Sequence, residues 1–340
     1  MARLTQAIKN LTRLTSLSTR VLADAPFLAT AFVQRPPSYT VPAFQNLGVA
    51  GYFGGGADAA RLSGIDKITF PADTKTTLSA TLSGQRDQLA GMANSLVAGY
   101  FAGGFDLGLG SATSGIDKIT FPADTKTTLS ATLTTATRKL AGMANSAVAG
   151  YFGGGQTPLN RIDKITFPAD TKTTLSATLS TAREALAGMA NSLVAGYFGG
   201  GADSGGAISA IDKITFPADT KTTLSATLTS ATEDLAGMAN SGVAGYFSGG
   251  AAPALVSAID KITFPADTKT TLSATLSTAR DRHAGMANSG TAGYFGGGFD
   301  TALISATDKI AFPADTKTTL SATLTSARRS LAGMADSGLL

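Results

Sequence analysis

The 340-residue chain has no cysteine and a single histidine, His283. Without cysteine there is no disulfide, thiolate nucleophile or Cys-ligated metal, so packing and strand pairing must hold the fold. One histidine cannot build a multi-His metal site or a Ser-His-Asp triad. No run approaches 18 consecutive apolar residues, so no membrane span is expected. Unbalanced charge is also missing from most of the chain. Residues 1–44 carry Arg3, Lys9, Arg13, Arg20 and Arg35 against Asp24, which accounts for the whole net charge of +4. The rest is neutral, which leaves no electrostatic footprint for nucleic acid, whose non-specific affinity rests on neutralising phosphates.

What the chain does have is a repeat. Gly-Tyr followed by Phe occurs six times, with tyrosines at Tyr52, Tyr100, Tyr151, Tyr197, Tyr246 and Tyr294, spaced by 48, 51, 46, 49 and 48 residues. Each copy continues through a Gly-Gly pair, a variable loop, a segment like Ile65-Asp66-Lys67-Ile68-Thr69-Phe70, then Thr77 to Leu82, and finally Ala90-Gly91-Met92-Ala93. Four short segments per cycle are rich in β-formers and bounded by Gly, Pro, Asn or Asp, and helical periodicity is absent between them. Four strands in a cycle of this length is the pattern of one propeller blade. The expected fold is all-β: a six-bladed β-propeller over 44–340, with four-stranded blades beginning near 48, 96, 147, 193, 242 and 290. The last Ala-Gly-Met-Ala copy has no Gly-Tyr strand after it, and the strand at Tyr52 has no such copy before it. Pairing these two ends closes the ring and removes both sheet edges.

The cycle resembles the kelch repeat over residues 48–337. The matching features are Gly54-Gly55 after an aromatic strand and an Arg before the small-residue strand at Arg86, Arg183, Arg280 and Arg328. Phe70 and Leu78 stand where kelch repeats have Tyr and Trp, and Thr137 and Thr232 replace the Arg in two cycles. The repeats are also similar to those of bacteriophage virion proteins, cyanophage types in particular. That resemblance implies a virion appendage, a fibre, tail or capsid-attached protein, with the virion as its location.

From each Ile of Ile-Asp-Lys to the next Gly-Tyr tyrosine the interval is 35 residues, so length varies only in the loop after Gly-Gly. A second variable patch precedes each Ala-Gly-Met-Ala strand. In an up-and-down blade both emerge on one face, and binding residues concentrate on loops carried by a rigid scaffold. This face is therefore the expected recognition surface, with Asp58, Arg61, Phe105, Asp106, Asn160, Arg161, Asp203, Phe299 and Asp300 as candidates for a host glycan or protein. Asp58, Asp106, Asp203 and Asp300 each lie six residues after their tyrosine and either ring the axis or cap their own turns. Phe105 and Phe299 offer stacking surfaces.

No cofactor, metal or catalytic residue is expected. Twelve of the 23 acids recur inside the repeat, and six copies of one environment do not supply the unlike pair of pKa values that acid–base catalysis needs. A non-enzymatic module follows, with a cellular kelch-type adaptor and a carbohydrate-active propeller enzyme as the alternatives. Residues 4–22 read as an amphipathic helix with Leu4, Ile8, Leu11, Leu14, Leu17 and Val21 on its apolar side, and Pro26, Pro36, Pro37 and Pro42 mark an extended arm. This N-terminal segment, 1–43, is expected to anchor the body to other virion or assembly proteins and to make the chain oligomeric in the assembly.

Overall fold

The computed structural model describes residues 50–336, none of which is helical. The N-terminal arm, including Leu4, Ile8, Leu11, Leu14, Leu17 and Val21, lies outside the described residues. Among the described residues no helix is long and apolar enough to cross a membrane.

The chain forms six four-stranded antiparallel sheets, consistent with propeller-like blades, with smaller two- and three-stranded sheets in the loops. The fourth sheet is representative, with strands in the order Ala187–Asn191, Ala195–Gly199, Ile211–Thr215 and Thr220–Thr223. Burial explains the sequence of each. The Ala-Gly-Tyr-Phe-Gly strand is buried at every residue, as its unbroken apolar character requires. Ile211–Thr215 buries Ile211, Asp212 and Ile214, and Thr220–Thr223 is the exposed edge. Its Lys and Thr side chains suit an edge that must not recruit another strand.

The outermost strand lies earlier than the sequence suggests. It is Thr74–Thr77 in the first sheet rather than Thr77–Leu82, and the same shift recurs in all six. A tight turn over Phe70–Asp73, with Asp73 at φ 56°, folds Thr-Lys-Thr-Thr straight back onto the third strand, pairing Ile68 with Lys75. The following leucines then point inward, and Leu82 is buried.

The first sheet draws on both ends of the described chain, since Ala332–Ala335 pairs with Ala50–Gly54 and places Met334 opposite Tyr52. The six Ala-Gly-Met-Ala strands pack against one another through their glycines. A Cβ on Gly142 would lie 2.4 Å from the Gly91 carbonyl oxygen, and one on Gly188 2.4 Å from that of Gly142; the same contact returns from Gly333 to Gly91. No larger residue fits against rigid backbone at that distance.

Neighbouring sheets are clasped by the residues that repeat most strictly. Tyr197 donates its hydroxyl hydrogen bond to Asp267 of the next sheet at 2.7 Å, and Lys213 reaches the same carboxylate at 2.6 Å. The Tyr197 ring stacks on Phe264, 5.2 Å between centroids. The contact recurs six times, the sixth joining Tyr294 and Lys309 to Asp73 of the first sheet.

Candidate recognition face

The two variable segments of each repeat do meet. The segment entering a sheet pairs with the loop after that sheet's Gly-Gly, as in Arg86 with Asp106, Asp87 with Phe105, Glu184 with Ala202, Glu233 with Ala251 and Asp281 with Phe299. The length variation and both variable segments are thereby collected at one end of the six sheets.

At the centre of this end stands a ring of six residues, Gln88, Lys139, Ala185, Asp234, Arg282 and Ser330, all in the left-handed backbone region with φ between 53° and 58°. Their backbones hydrogen-bond in succession. Lys139 N donates to Gln88 O, Ala185 N to Lys139 O, Asp234 N to Ala185 O, Arg282 N to Asp234 O, Ser330 N to Arg282 O and Gln88 N to Ser330 O, each at 2.7–2.8 Å. Strain of this kind persists only where surrounding structure over-determines it. The mutual hydrogen bonds do so here, and because they use only backbone they leave the side chain free to differ. All six differ.

Beneath the ring lies a layer of five leucines and His283, and a pocket of about 80 Å³ sits between the two. Its rim carries charges of both signs. Lys139 pairs with Glu184 at 2.7 Å, and Arg282 with Asp234 at 3.1 Å and Asp281 at 3.4 Å. Burial, with Asp234 beside it, raises the Glu233 carboxyl above the ordinary range, and burial likewise raises Asp281. Burial opposes the charge on Arg282, but Asp234 and Asp281 outweigh it and hold the guanidinium more firmly protonated. Gln88 Oε1 is buried here without a hydrogen-bond partner among the described residues. The arrangement offers polar groups of both signs over an apolar floor, which suits a small polar group.

The residues expected from sequence lie farther out and are largely occupied. The aspartates cap their own loops: Asp58 accepts from Ala60 N at 2.9 Å, Asp106 from Leu109 N at 3.1 Å, Asp203 from Gly205 N at 2.7 Å and Asp300 from Ala302 N at 2.8 Å. Phe105 lies under the Arg61 guanidinium, 4.0 Å from the ring centroid, with Arg138 at 5.1 Å, and Phe299 lies 5.0 Å from Arg329. Arg61 also pairs with Asp87 at 2.8 Å. Asn160 is exposed, while Arg161 donates to Thr135 Oγ1. None of these residues lines the pocket beneath the ring.

The four capping aspartates have a second role. They occur in the same four sheets as the buried arginines, and each adds a further negative charge near one: Asp58 with Arg328, Asp106 with Arg86, Asp203 with Arg183 and Asp300 with Arg280. Arg183 is fully buried and donates to Gly200 O, Ala210 O and Phe198 O at 3.1 Å and to Asp212 Oδ2 at 2.8 Å. The sheets that carry Thr137 and Thr232 lack the loop aspartate as well. In the fifth sheet a cavity of about 20 Å³ opens beside Thr232 and Asp260, room for about one water.

The sequence placed these positions in the second variable patch but not in a ring, because the backbone hydrogen bonds that join them link residues of different repeats; the signal was a position with six different residues beside a strand of near-identical copies. Comparison with known proteins adds no name to this face: no protein-family model matches the chain, and no curated protein matches it.

Proposed function

We propose that the chain is a six-bladed, kelch-like β-propeller, its ring closed by the strand Ala332–Ala335, that works as a non-enzymatic recognition module. The axial ring and its surrounding loops bind a ligand on a host surface, a glycan or a protein. One observation carries this reading: at this end of the sheets the six equivalent positions around a pocket floored by five leucines and His283 carry six different residues. A fold that needs only six equal blades has no use for six different side chains at that point. The similarity of the repeats to phage virion proteins supports placing the module on a virion appendage, anchored to other virion proteins by residues 1–43.

The test is a glycan array probed with the full chain and with Lys139→Ala/Arg282→Ala. Binding that is lost in the double variant but kept in Ser95→Ala, at the other end of the sheets, supports the assignment. Binding that ignores the double variant would move the site elsewhere, and no binding to any glycan or host surface protein would remove the recognition role.

A further inference from the structure

Four of the six sheets hold a guanidinium at the same internal place, and the fifth sheet keeps the acceptors without the residue that supplies the charge. In the first sheet Arg328 donates to Asp66 Oδ2 at 2.9 Å and to Phe53 O at 3.2 Å. In the fourth, the acceptors of Arg183 are Asp212 and the carbonyl oxygens of Phe198, Gly200 and Ala210. Their counterparts in the fifth sheet are Asp260, Phe247, Gly249 and Ala258, with Thr232 in the place of the arginine. All five line the cavity of about 20 Å³.

The carboxylate itself is held alike in the first and fifth sheets. Asp66 Oδ2 accepts from Thr325 N at 2.9 Å and from Arg328, while its Oδ1 accepts from the hydroxyls of Thr325 and Thr77 at 2.5 and 2.8 Å. Asp260 repeats each of these contacts except the arginine. Its Oδ2 accepts from Thr229 N at 2.7 Å, and its Oδ1 from the hydroxyls of Thr229 and Thr271 at 2.6 and 2.8 Å. Lys269 lies 3.6 Å from Asp260 Oδ1, but Lys75 lies 3.8 Å from Asp66, which has the arginine as well. Asp260 is only 7% exposed, and among the described residues its Oδ2 is left with a single donor. A buried carboxylate oxygen in that position needs a donor or a cation.

We propose that the cavity beside Thr232 and Asp260 is a binding site for one monovalent cation of water's size, potassium or ammonium. The charge is set by the sibling sheets, four of which place a single positive charge among the same acceptors. The size is set by the cavity, which has room for about one water. The ligands are one carboxylate oxygen and the carbonyl oxygens of residues whose counterparts serve Arg183, and carbonyl oxygens replace the hydration shell of such an ion. A single carboxylate favours a monovalent ion, since divalent cations are held by higher ligand charge and number. Thr137 and Asp163 repeat the carboxylate contacts in the third sheet, but the cavity that carries the proposal is in the fifth. The inference does not depend on what the axial ring binds.

The test is the melting midpoint of the full chain as potassium chloride replaces tetramethylammonium chloride at constant ionic strength, in the wild type, Thr232→Arg and Asp260→Asn. Tetramethylammonium is too large for the cavity, so only occupancy changes. Potassium at ten times its dissociation constant is expected to raise the wild-type midpoint by about 2 °C. Both variants should reduce that rise, but from opposite sides: Thr232→Arg supplies the charge and starts from a higher midpoint, whereas Asp260→Asn removes the ligand and starts from a lower one. Anomalous diffraction from crystals of the full chain grown in rubidium chloride should place a peak beside Asp260 that Thr232→Arg removes. A wild-type midpoint indifferent to potassium overturns the proposal, as does a rise that neither variant alters or a site that holds only water in rubidium.

Discussion

Replacing Arg183 by threonine, the residue that two other sheets carry at this position, removes a guanidinium that is fully buried and makes four hydrogen bonds. Removing one partner of a buried ion pair costs about 3–5 kcal/mol because the other charge is stranded. Asp212 is not wholly stranded: it keeps the Ser180 amide and hydroxyl at 2.8 and 2.9 Å, the Thr223 hydroxyl at 2.7 Å and Lys221 at 3.9 Å. The expected loss is therefore at the lower end, about 3 kcal/mol. Unfolding entropy of about 2.1 cal/mol/K per residue gives a body of roughly 290 residues about 0.6 kcal/mol/K, so the melting midpoint falls by about 5 °C. Calorimetry on wild type, Arg183→Thr, Asp212→Asn and the double variant measures both the loss and the coupling between the two groups. A loss below about 1 kcal/mol, with no coupling, would mean that solvation of the freed charge offsets the contacts and that the buried arginine contributes little to holding the sheet.

Three further outcomes follow from the repeated contacts. Gly188→Ala places a methyl group 2.4 Å from the Gly142 carbonyl oxygen, where only backbone can yield, and is expected to cost at least about 1–3 kcal/mol by denaturant unfolding. Burial, then the hydrogen bond to an aspartate, pushes the phenols of Tyr52, Tyr100, Tyr151, Tyr197, Tyr246 and Tyr294 well above their ordinary range. The unfolded chain ionises them near pH 10, so their contribution is intact below about pH 10 and declines as pH rises above it. Tyrosinate absorbance should therefore appear together with unfolding, and Tyr197→Phe should cost about 1.5 kcal/mol at neutral pH because its hydrogen bond ends on a charged group. His283 is held neutral by burial, then by Arg280, with its Nε2 2.8 Å from Ser248 Oγ. The unfolded chain charges it near pH 6.5, so its contribution is full above about pH 6.5 and declines as pH falls below it. His283→Leu/Ser248→Gly should flatten that acid limb in melting curves taken between pH 7 and 4.

The sheets were legible because each strand announces itself in six copies, and the pairing of the two chain ends followed from counting which strands lacked a neighbour. The outermost strand was misplaced by a few residues. Thr-Lys-Thr-Thr looks like the continuation of a turn, and the turn's tightness depends on one aspartate in the left-handed region, which sequence periodicity does not encode. Among the candidate site residues, both readings of the role of Asp58, Asp106, Asp203 and Asp300 were open; the hydrogen bonds to their own loops favour capping. Phe105 and Phe299 had looked free to stack, but arginines from variable segments of the same face already cover them, a contact between segments that sequence alone does not align. The clasp from Tyr and Lys to Asp was hidden for a similar reason, since Lys67 and Asp124 lie far apart in the chain and meet only between sheets.

The pairing of the chain's two ends is tested most directly by hydrogen exchange with mass spectrometry on the native full-length protein. Leu331-Ala332-Gly333-Met334-Ala335 has the same sequence as Leu235-Ala236-Gly237-Met238-Ala239, so the intrinsic exchange rates of the two segments match and any difference reports structure. A closed six-sheet ring predicts that the peptide covering 331–335 is protected as strongly as its counterpart at 235–239, since both strands are paired and packed at the centre. Exchange of 331–335 at the rate of an unstructured terminus, with 235–239 still protected, would contradict the closure and the propeller with it.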